Sequence, residues 1–364
     1  MSFSAVASKV REGVPLSHAD GLALCQHPNL MEVGALANEV RERLHGDRTY
    51  FNRNLHINPT NVCVASCKLC SFSRRRADAD GAFVLGVDEA VAKLRARLGA
   101  GDRVTEVHLV GGLHDGLSFD YFTNLLASLK AAAPGISLKA FSAVEIFFFH
   151  RLYGMSIEDI LRRLQASGLD SLPGGGAEIF SPRVRKAICP NKCGADEWLE
   201  VHRTAHRLGL KSNCTMLVGT VETLDERVEH LLLLRAQQAE TAGFMAFIPL
   251  PFHPENNALG DRPAPTAAEM LRTVAVSRLL LDNVPHIKAY WVSLGLATAQ
   301  TALWFGADDF DGTVSEEKIY HQAGSQSPQA LASGEIARLV RAAGRVPVER
   351  DTLYGNVSPA SEAV

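Results

Sequence analysis

The stretch Asn58-Pro-Thr-Asn-Val-Cys-Val-Ala-Ser-Cys-Lys-Leu-Cys-Ser-Phe72 gathers three of the chain's seven cysteines, Cys63, Cys67 and Cys70, within eight residues. A loop spaced CxxxCxxC offers three thiolates to one compact centre, with no fourth ligand beside them. Closed structural sites, whether zinc or a fully ligated iron-sulfur cluster, take four protein ligands. A centre that binds substrate through its metal keeps one position free. Two readings follow: an open metal centre, or a zinc knuckle whose fourth ligand, such as Cys189 or His56, arrives from elsewhere in the chain.

Outward from this loop, short apolar strand-like runs alternate with amphipathic helices, the pattern of repeated βα units. The expected strands are Leu55 to Asn58, Val104 to Val110, Ile136 to Phe141, Leu169 to Leu172, Ser212 to Leu217, Phe244 to Pro249, His286 to Trp291 and a weak one near Asp308 to Phe310. Helix starts are marked at Ser156, Thr223 and Thr266, each with an acidic residue three places on. The fold class is therefore α/β, a (β/α)8 TIM-type barrel with its site at the C-terminal ends of the strands. Residues 1–48 read as an N-terminal helical segment forming a lid or plug, with a capping-box spacing at Ser17 to Asp20. Residues 49–325 read as the barrel, and 326–364 as a C-terminal helical extension and tail. The turn-rich loop from Asn256 to Pro265 is expected over the barrel mouth.

Composition narrows the partners. The 37 basic and 40 acidic residues leave a net charge of -3, without a basic run for nucleic acid or a lipid surface. No stretch of 18 apolar residues occurs, and the first ten residues lack a signal-peptide core. An odd cysteine count with three clustered argues for a reducing, cytoplasmic setting and against a disulfide framework.

Motifs follow the strand ends. Gly111 and Gly112 allow close approach of backbone after the second strand. Phe141-Ser-Ala-Val-Glu145 and Leu172-Pro-Gly-Gly-Gly-Ala-Glu178 each set a carboxylate just past a strand, where a cationic or hydroxyl-rich ligand is one partner and a helix N-terminus the other. Asn213 lies near the same mouth. His202 and His206 share a helix face at zinc-binding spacing but lack the glutamate of a HExxH site, and Cys189 with Cys193 reads as a pair of structural or surface thiols.

The cysteine spacing, with an aromatic residue two places after the last cysteine, resembles the radical S-adenosylmethionine (radical SAM) enzymes. Longer stretches sharpen the likeness. His56-Ile-Asn-Pro-Thr-Asn61, Leu172-Pro-Gly-Gly-Gly-Ala-Glu-Ile179, Trp198-Leu-Glu-Val-His-Arg-Thr-Ala-His206, Phe252-His-Pro-Glu255 and Val348-Glu-Arg-Asp-Thr-Leu-Tyr354 are similar to the menaquinone-pathway members of that group. Leu113, Thr220 and Ser66 depart from the group's pattern, where Glu, His and a basic residue are usual.

The resemblance implies that Cys63, Cys67 and Cys70 hold three irons of a [4Fe-4S] cluster and that SAM chelates the fourth. It implies SAM contacts from Phe72, Gly111, Gly112, Ser142, Glu178 and Asn213, with Glu145 and Glu178 as catalytic carboxylates. A reducing electron donor such as flavodoxin or ferredoxin is implied as well. The implied reaction adds a 5'-deoxyadenosyl radical to the enol ether of an aromatic dicarboxylate, with loss of a carboxyl group. Hydrogen-abstracting cyclisation is the alternative within the group. A small molecule with two carboxylates needs cations in a water-poor pocket, and His56, Arg185, Arg278, Lys288 and Tyr290 are the candidates for binding it.

Overall fold

The computed structural model describes residues 2–355. Its strands are β1 Arg48–Asn52, β2 Asn54–Ile57, β3 Glu106–Leu109, β4 Ser137–Ala140, β5 Ser171–Leu172, β6 Lys211–Val218, β7 Phe244–Pro251, β8 His286–Ile287, β9 Asp309–Gly312 and β10 Val346–Glu349. Strands β2 to β8 lie side by side in chain order as one parallel sheet. Helices such as Phe119–Ala132, Ala143–Tyr153 and Leu224–Thr241 carry the crossovers that parallel neighbours require. Ser156, Thr223 and Thr266 are the N-caps of helices Ile157–Ala166, Leu224–Thr241 and Ala267–Leu280, each accepting the backbone N–H three residues on.

The expected eighth strand forms, as β9, but does not continue the ladder. Its full pairing is with β1, in a separate three-stranded sheet ordered β10-β1-β9. It meets the larger sheet through a single bridge, Lys288 to Asp309, and the segment just after it makes another, Leu55 to Ser315, on the other side. Backbone geometry supplies the reason. Asp311, Val314 and Glu316 take φ values of 67°, 44° and 64°, a left-handed conformation that a β-branched residue such as Val314 adopts only under strain. The chain therefore twists through the seam between β8 and β2 instead of pairing along it. The Ala289 N–H still donates to the Asp309 carbonyl at 2.7 Å and the His56 N–H to that of Ser315 at 2.9 Å, so the seam is bridged.

The N-terminal helices Phe3–Arg11, His18–Gln26 and Leu30–His45 do not cover the barrel mouth. They pack outside, over Leu224–Thr241 and Ala267–Leu280. A side chain at Gly21 would collide with Val228 and Leu280, and Arg235 and Arg272 donate to the Leu16 and Leu24 carbonyls. The expectation of a lid or plug is thus corrected: their apolar faces are satisfied by other helices, and they form an outer layer. The C-terminal region holds helix Ser333–Ala342 and β10. Positions 356–364 of the expected extension lie outside the described residues. No helix is long and apolar enough to cross a membrane among the described residues.

Candidate functional site

A cavity of about 320 Å³ occupies the C-terminal side of the sheet, with the cysteine loop as one wall and the barrel interior as its floor. Cys63, Cys67 and Cys70 all line it, beside Phe72, which is buried edge-on to Phe83. A larger void of about 490 Å³, under the N-terminal helices and lined by Cys25, Leu30, Met216 and Val276, contains none of these groups.

The loop is held by backbone. The Gly112 N–H donates to the Thr60 carbonyl at 2.8 Å and the Val64 N–H to that of Leu113 at 2.9 Å. A methyl group at Gly112 would sit 2.2 Å from the Val62 oxygen, and one at Gly111 3.0 Å from the Thr60 oxygen. The glycine pair thus lets β3 run directly against the cysteine loop. From the other side, the Ala258 N–H donates to the Lys68 carbonyl, and Ser71 Oγ donates to that of Glu255 at 2.7 Å. The turn-rich loop after β7 therefore clamps the mouth, as expected of it.

The donor set fits a cluster with one protein-free iron. Among the described residues, His45, His286 and Asp308 are the one trio of potential ligand atoms drawn within 4.8 Å of one another. On the cavity wall the cysteine donors are these three thiolates, a set that suits a cluster keeping one iron for a ligand. Cys189 is buried behind the loop and does not line the cavity, whereas His56 lies on the floor, stacked on His108 at 4.6 Å. Burial pushes the Cys67 thiol up to about 12 and raises Cys63 as well. A metal must therefore displace the protons to bind.

Ser142 and Glu145 form the capping box of helix Ala143–Tyr153. One Glu145 oxygen accepts from the Ser142 N–H and hydroxyl, both at 2.7 Å, and the other accepts the Gly111 N–H at 3.0 Å. Its oxygens are thus committed to protein donors and tie the glycine pair to the helix. Burial raises the carboxyl to about 7 against the pull of Ser142, Gly111 and Lys192. Glu178 sits at a left-handed φ of 48° and forms an ion pair with Lys192. Two of the three glycines before it are required by crowding: a side chain at Gly174 would lie 2.7 Å from the Asn213 and Cys214 backbone, and one at Gly176, at φ 84°, 2.4 Å from Val144, whereas Gly175 has open space. Asn213 lines the cavity with a buried Oδ1 that has no protein donor, an acceptor left over for a ligand.

The floor is charged. His56, His108 and Lys139 stand in register across β2, β3 and β4 and all line the cavity. Lys139 pairs with Glu106 at 2.7 Å, both nearly inaccessible, and Thr352 also donates to Glu106 at 2.8 Å. Burial alone would raise the Glu106 carboxyl; Lys139, Lys288 and Arg350 overrule it and hold it below the ordinary carboxylate range. Lys288 faces Asp311 at 3.3 Å, and Tyr290, Glu317 and Tyr320 complete that side. His56 Nε2 is buried without a partner.

Two candidates do not reach the cavity. Arg278 is fully buried on an ion pair with Asp308 and on the carbonyls of Gly306 and Pro285. Arg185 spends its guanidinium on the carbonyls of Ala177 and Cys193. Both are structural cations, and Lys139 and Lys192, unmarked in the sequence reading, stand in the cavity instead. Thr220 bonds Glu222 at 2.7 Å away from the cavity. His202 and His206 share the Ser212 hydroxyl at 2.8 Å each, a hydrogen-bonded trio on the barrel's outer side. The His45, His286 and Asp308 trio is likewise taken, with Asp308 already holding Arg278 and the Ile287 N–H.

Residues 57–234 match the radical SAM superfamily, and residues 241–362 match the CofH/MqnC C-terminal region. Aminodeoxyfutalosine synthase of Thermus thermophilus is 47% identical over 356 residues, covering 97% of this chain and 95% of that one. The 5-amino-6-(D-ribitylamino)uracil–L-tyrosine 4-hydroxyphenyl transferase of Methanopyrus kandleri is 39% identical over 355 residues, covering 96% and 94%. Among solved structures, methylornithine synthase superposes with a TM-score of 0.76 at 18% identity, covering 94% of this chain and 97% of that one, a likeness of fold. Fold, cysteine loop and sequence together define a radical SAM enzyme, with a [4Fe-4S] cluster and SAM as its cofactors and a need for a reductant. The chain belongs to the radical SAM superfamily and, within it, to the aminodeoxyfutalosine synthase family.

Proposed function

We propose that this enzyme joins the 5'-deoxyadenosyl part of SAM to 3-[(1-carboxyvinyl)oxy]benzoate, with loss of one carboxyl group as bicarbonate, to give aminodeoxyfutalosine for menaquinone biosynthesis. When bound and reduced, the cluster with SAM supplies the 5'-deoxyadenosyl radical. The remaining work falls to this chain's side chains. Cys63, Cys67 and Cys70 would hold the cluster, and Leu69 and Phe72 line the cavity beside it. Gly111, Gly112, Ser142 and Glu145 shape the wall that SAM lies against, and Asn213 and Glu178 offer acceptors to it. Lys139 and Lys288 face the substrate's carboxylates from the floor, where burial strengthens charge-assisted bonds. Ile248, Leu250, Phe252 and Tyr290 line the space for the ring. Excluding water and holding the double bond near the radical carbon are the main protein contributions to such chemistry.

The observation that carries this reading is one cavity in which the three-cysteine loop faces two buried lysines. The outer side of the loop exposes Lys68 and Arg75, a basic edge suited to an acidic one-electron carrier such as flavodoxin or ferredoxin. Cysteines that must stay reduced for iron fit a cytoplasmic setting. The test is anaerobic reconstitution, addition of SAM, dithionite and the enol ether, and product analysis by mass. An adenosyl adduct lacking one carboxyl group supports the reading. Free 5'-deoxyadenosine with a cyclised product refutes it and favours the hydrogen-abstracting alternative.

A further inference from the structure

Lys192, in the Cys189-Pro-Asn-Lys-Cys193 segment, stands at an unusual junction. Its ammonium is an ion-pair partner of Glu178 and lines the central cavity together with Cys63, Cys67 and Cys70. A Cβ built on Gly176 would come within 3.8 Å of its Nζ, so the triple-glycine loop closes directly over it. Its segment is anchored to the cluster loop, because the Lys68 N–H donates to the Ile188 carbonyl at 2.8 Å. This one cation acts electrostatically on Cys67, Cys63, Cys189, Glu178 and Glu145.

We propose that Lys192 is a positioning residue that sets the reduction potential of the cluster, with Glu178 as the counterweight that fixes its ammonium on the cavity wall it shares with Cys67. The inference rests on the assignment of the cluster to Cys63, Cys67 and Cys70. Reduction adds one negative charge to the cluster, and a partly buried cation on the wall of the same cavity stabilises the reduced form more than the oxidised one. Cluster potentials respond to net local charge and to solvent exposure. With 14% of its side chain exposed, Lys192 is screened less than a charge on an open surface. Lys192 therefore makes the cluster easier to reduce, and Glu178 partly offsets it.

The experiment is an EPR-monitored redox titration of the reconstituted holoenzyme without substrate, comparing wild type with Lys192→Met, Lys192→Arg and Glu178→Gln at equal iron and sulfide content. At a fixed ambient potential, Lys192→Met is expected to lower the reduced-to-oxidised ratio about tenfold, equivalent to about 59 mV for a one-electron couple. Lys192→Arg should titrate close to wild type, and Glu178→Gln should shift in the opposite direction, toward easier reduction. A merely structural role would change cluster content and leave the potential of the loaded fraction where it was. If Lys192→Met cannot be loaded with iron, Glu178→Gln decides alone. A Lys192→Met potential equal to wild type, or a Glu178→Gln shift toward harder reduction, overturns the proposal. Absence of a [4Fe-4S] signal from the wild type would instead overturn the cluster assignment beneath it.

Discussion

Gly112→Ala is the smallest change that tests how the cluster loop is built. The added methyl carbon would lie 2.2 Å from the Val62 oxygen and 2.7 Å from its carbonyl carbon. Ordinary contact is about 3.5 Å, so β3 and the cysteine loop must part by about 1.3 Å. Both atoms met are backbone, and the same stretch carries the Gly112 N–H bond to Thr60, so no rotamer change relieves the clash. Overpacking of this kind costs about 1–3 kcal/mol, a fraction of a domain's total stability that leaves the fold intact. The displacement instead falls on Cys63, the residue after Val62, and misplaces one of three thiolates. The assay is iron and sulfide per chain after anaerobic reconstitution, with far-UV circular dichroism as the fold control. Gly112→Ala should retain its spectrum and lose most of its iron. Gly111→Ala, whose nearest contact is 3.0 Å, should lose much less. Wild-type iron content in Gly112→Ala would refute the account of this loop.

Lys139→Met should destabilise the apoprotein by about 3 kcal/mol in a urea titration, since it leaves Glu106 buried without its nearest cation; Lys139→Met combined with Glu106→Gln should recover part of that loss. Arg278→Met should likewise cost about 3–5 kcal/mol by stranding Asp308, yet leave the substrate KM of the folded fraction unchanged; a raised KM would restore Arg278 to the binding site. His321 is raised to about 9, chiefly by its bond to Glu317 and against burial. A raised folded pKa adds stability that is complete below the ordinary histidine value of about 6.5 and disappears as pH climbs through about 9. Wild type should therefore lose more Tm between pH 7 and pH 10 than His321→Gln does, and equal losses would refute the assignment.

What could be read without coordinates was whatever is local. The cysteine spacing, the caps at Ser156, Thr223 and Thr266, and seven strands each depend on residues within a turn or a strand length of one another. The small sheet was hidden because β1 is separated from β2 only by Arg53, and its partner β10 lies almost the whole chain away, with no alternation to announce it. The choice of cations failed for a related reason. Arg185 and Arg278 sit on helices, where local sequence cannot say which carbonyls they will meet, whereas the true floor is set by sheet register, which aligns His56, His108 and Lys139. A signal did exist: Asn54 with His56, and Glu106 with His108, place polar residues two apart within strands otherwise buried, which marks the inward face of a strand. Glu145 was legible as either a cap or a ligand group, and its bonds to Ser142 and Gly111 make it a cap that also braces the glycine pair.

The central claim is that three cysteines hold a cluster whose remaining iron belongs to SAM. Its most direct measurement is the EPR spectrum of the dithionite-reduced, reconstituted enzyme before and after SAM is added, beside a metal analysis of the same sample. A [4Fe-4S] signal whose shape changes on SAM binding, with zinc absent, is the predicted result. A spectrum indifferent to SAM, or a protein that carries one zinc in place of the cluster, contradicts the account.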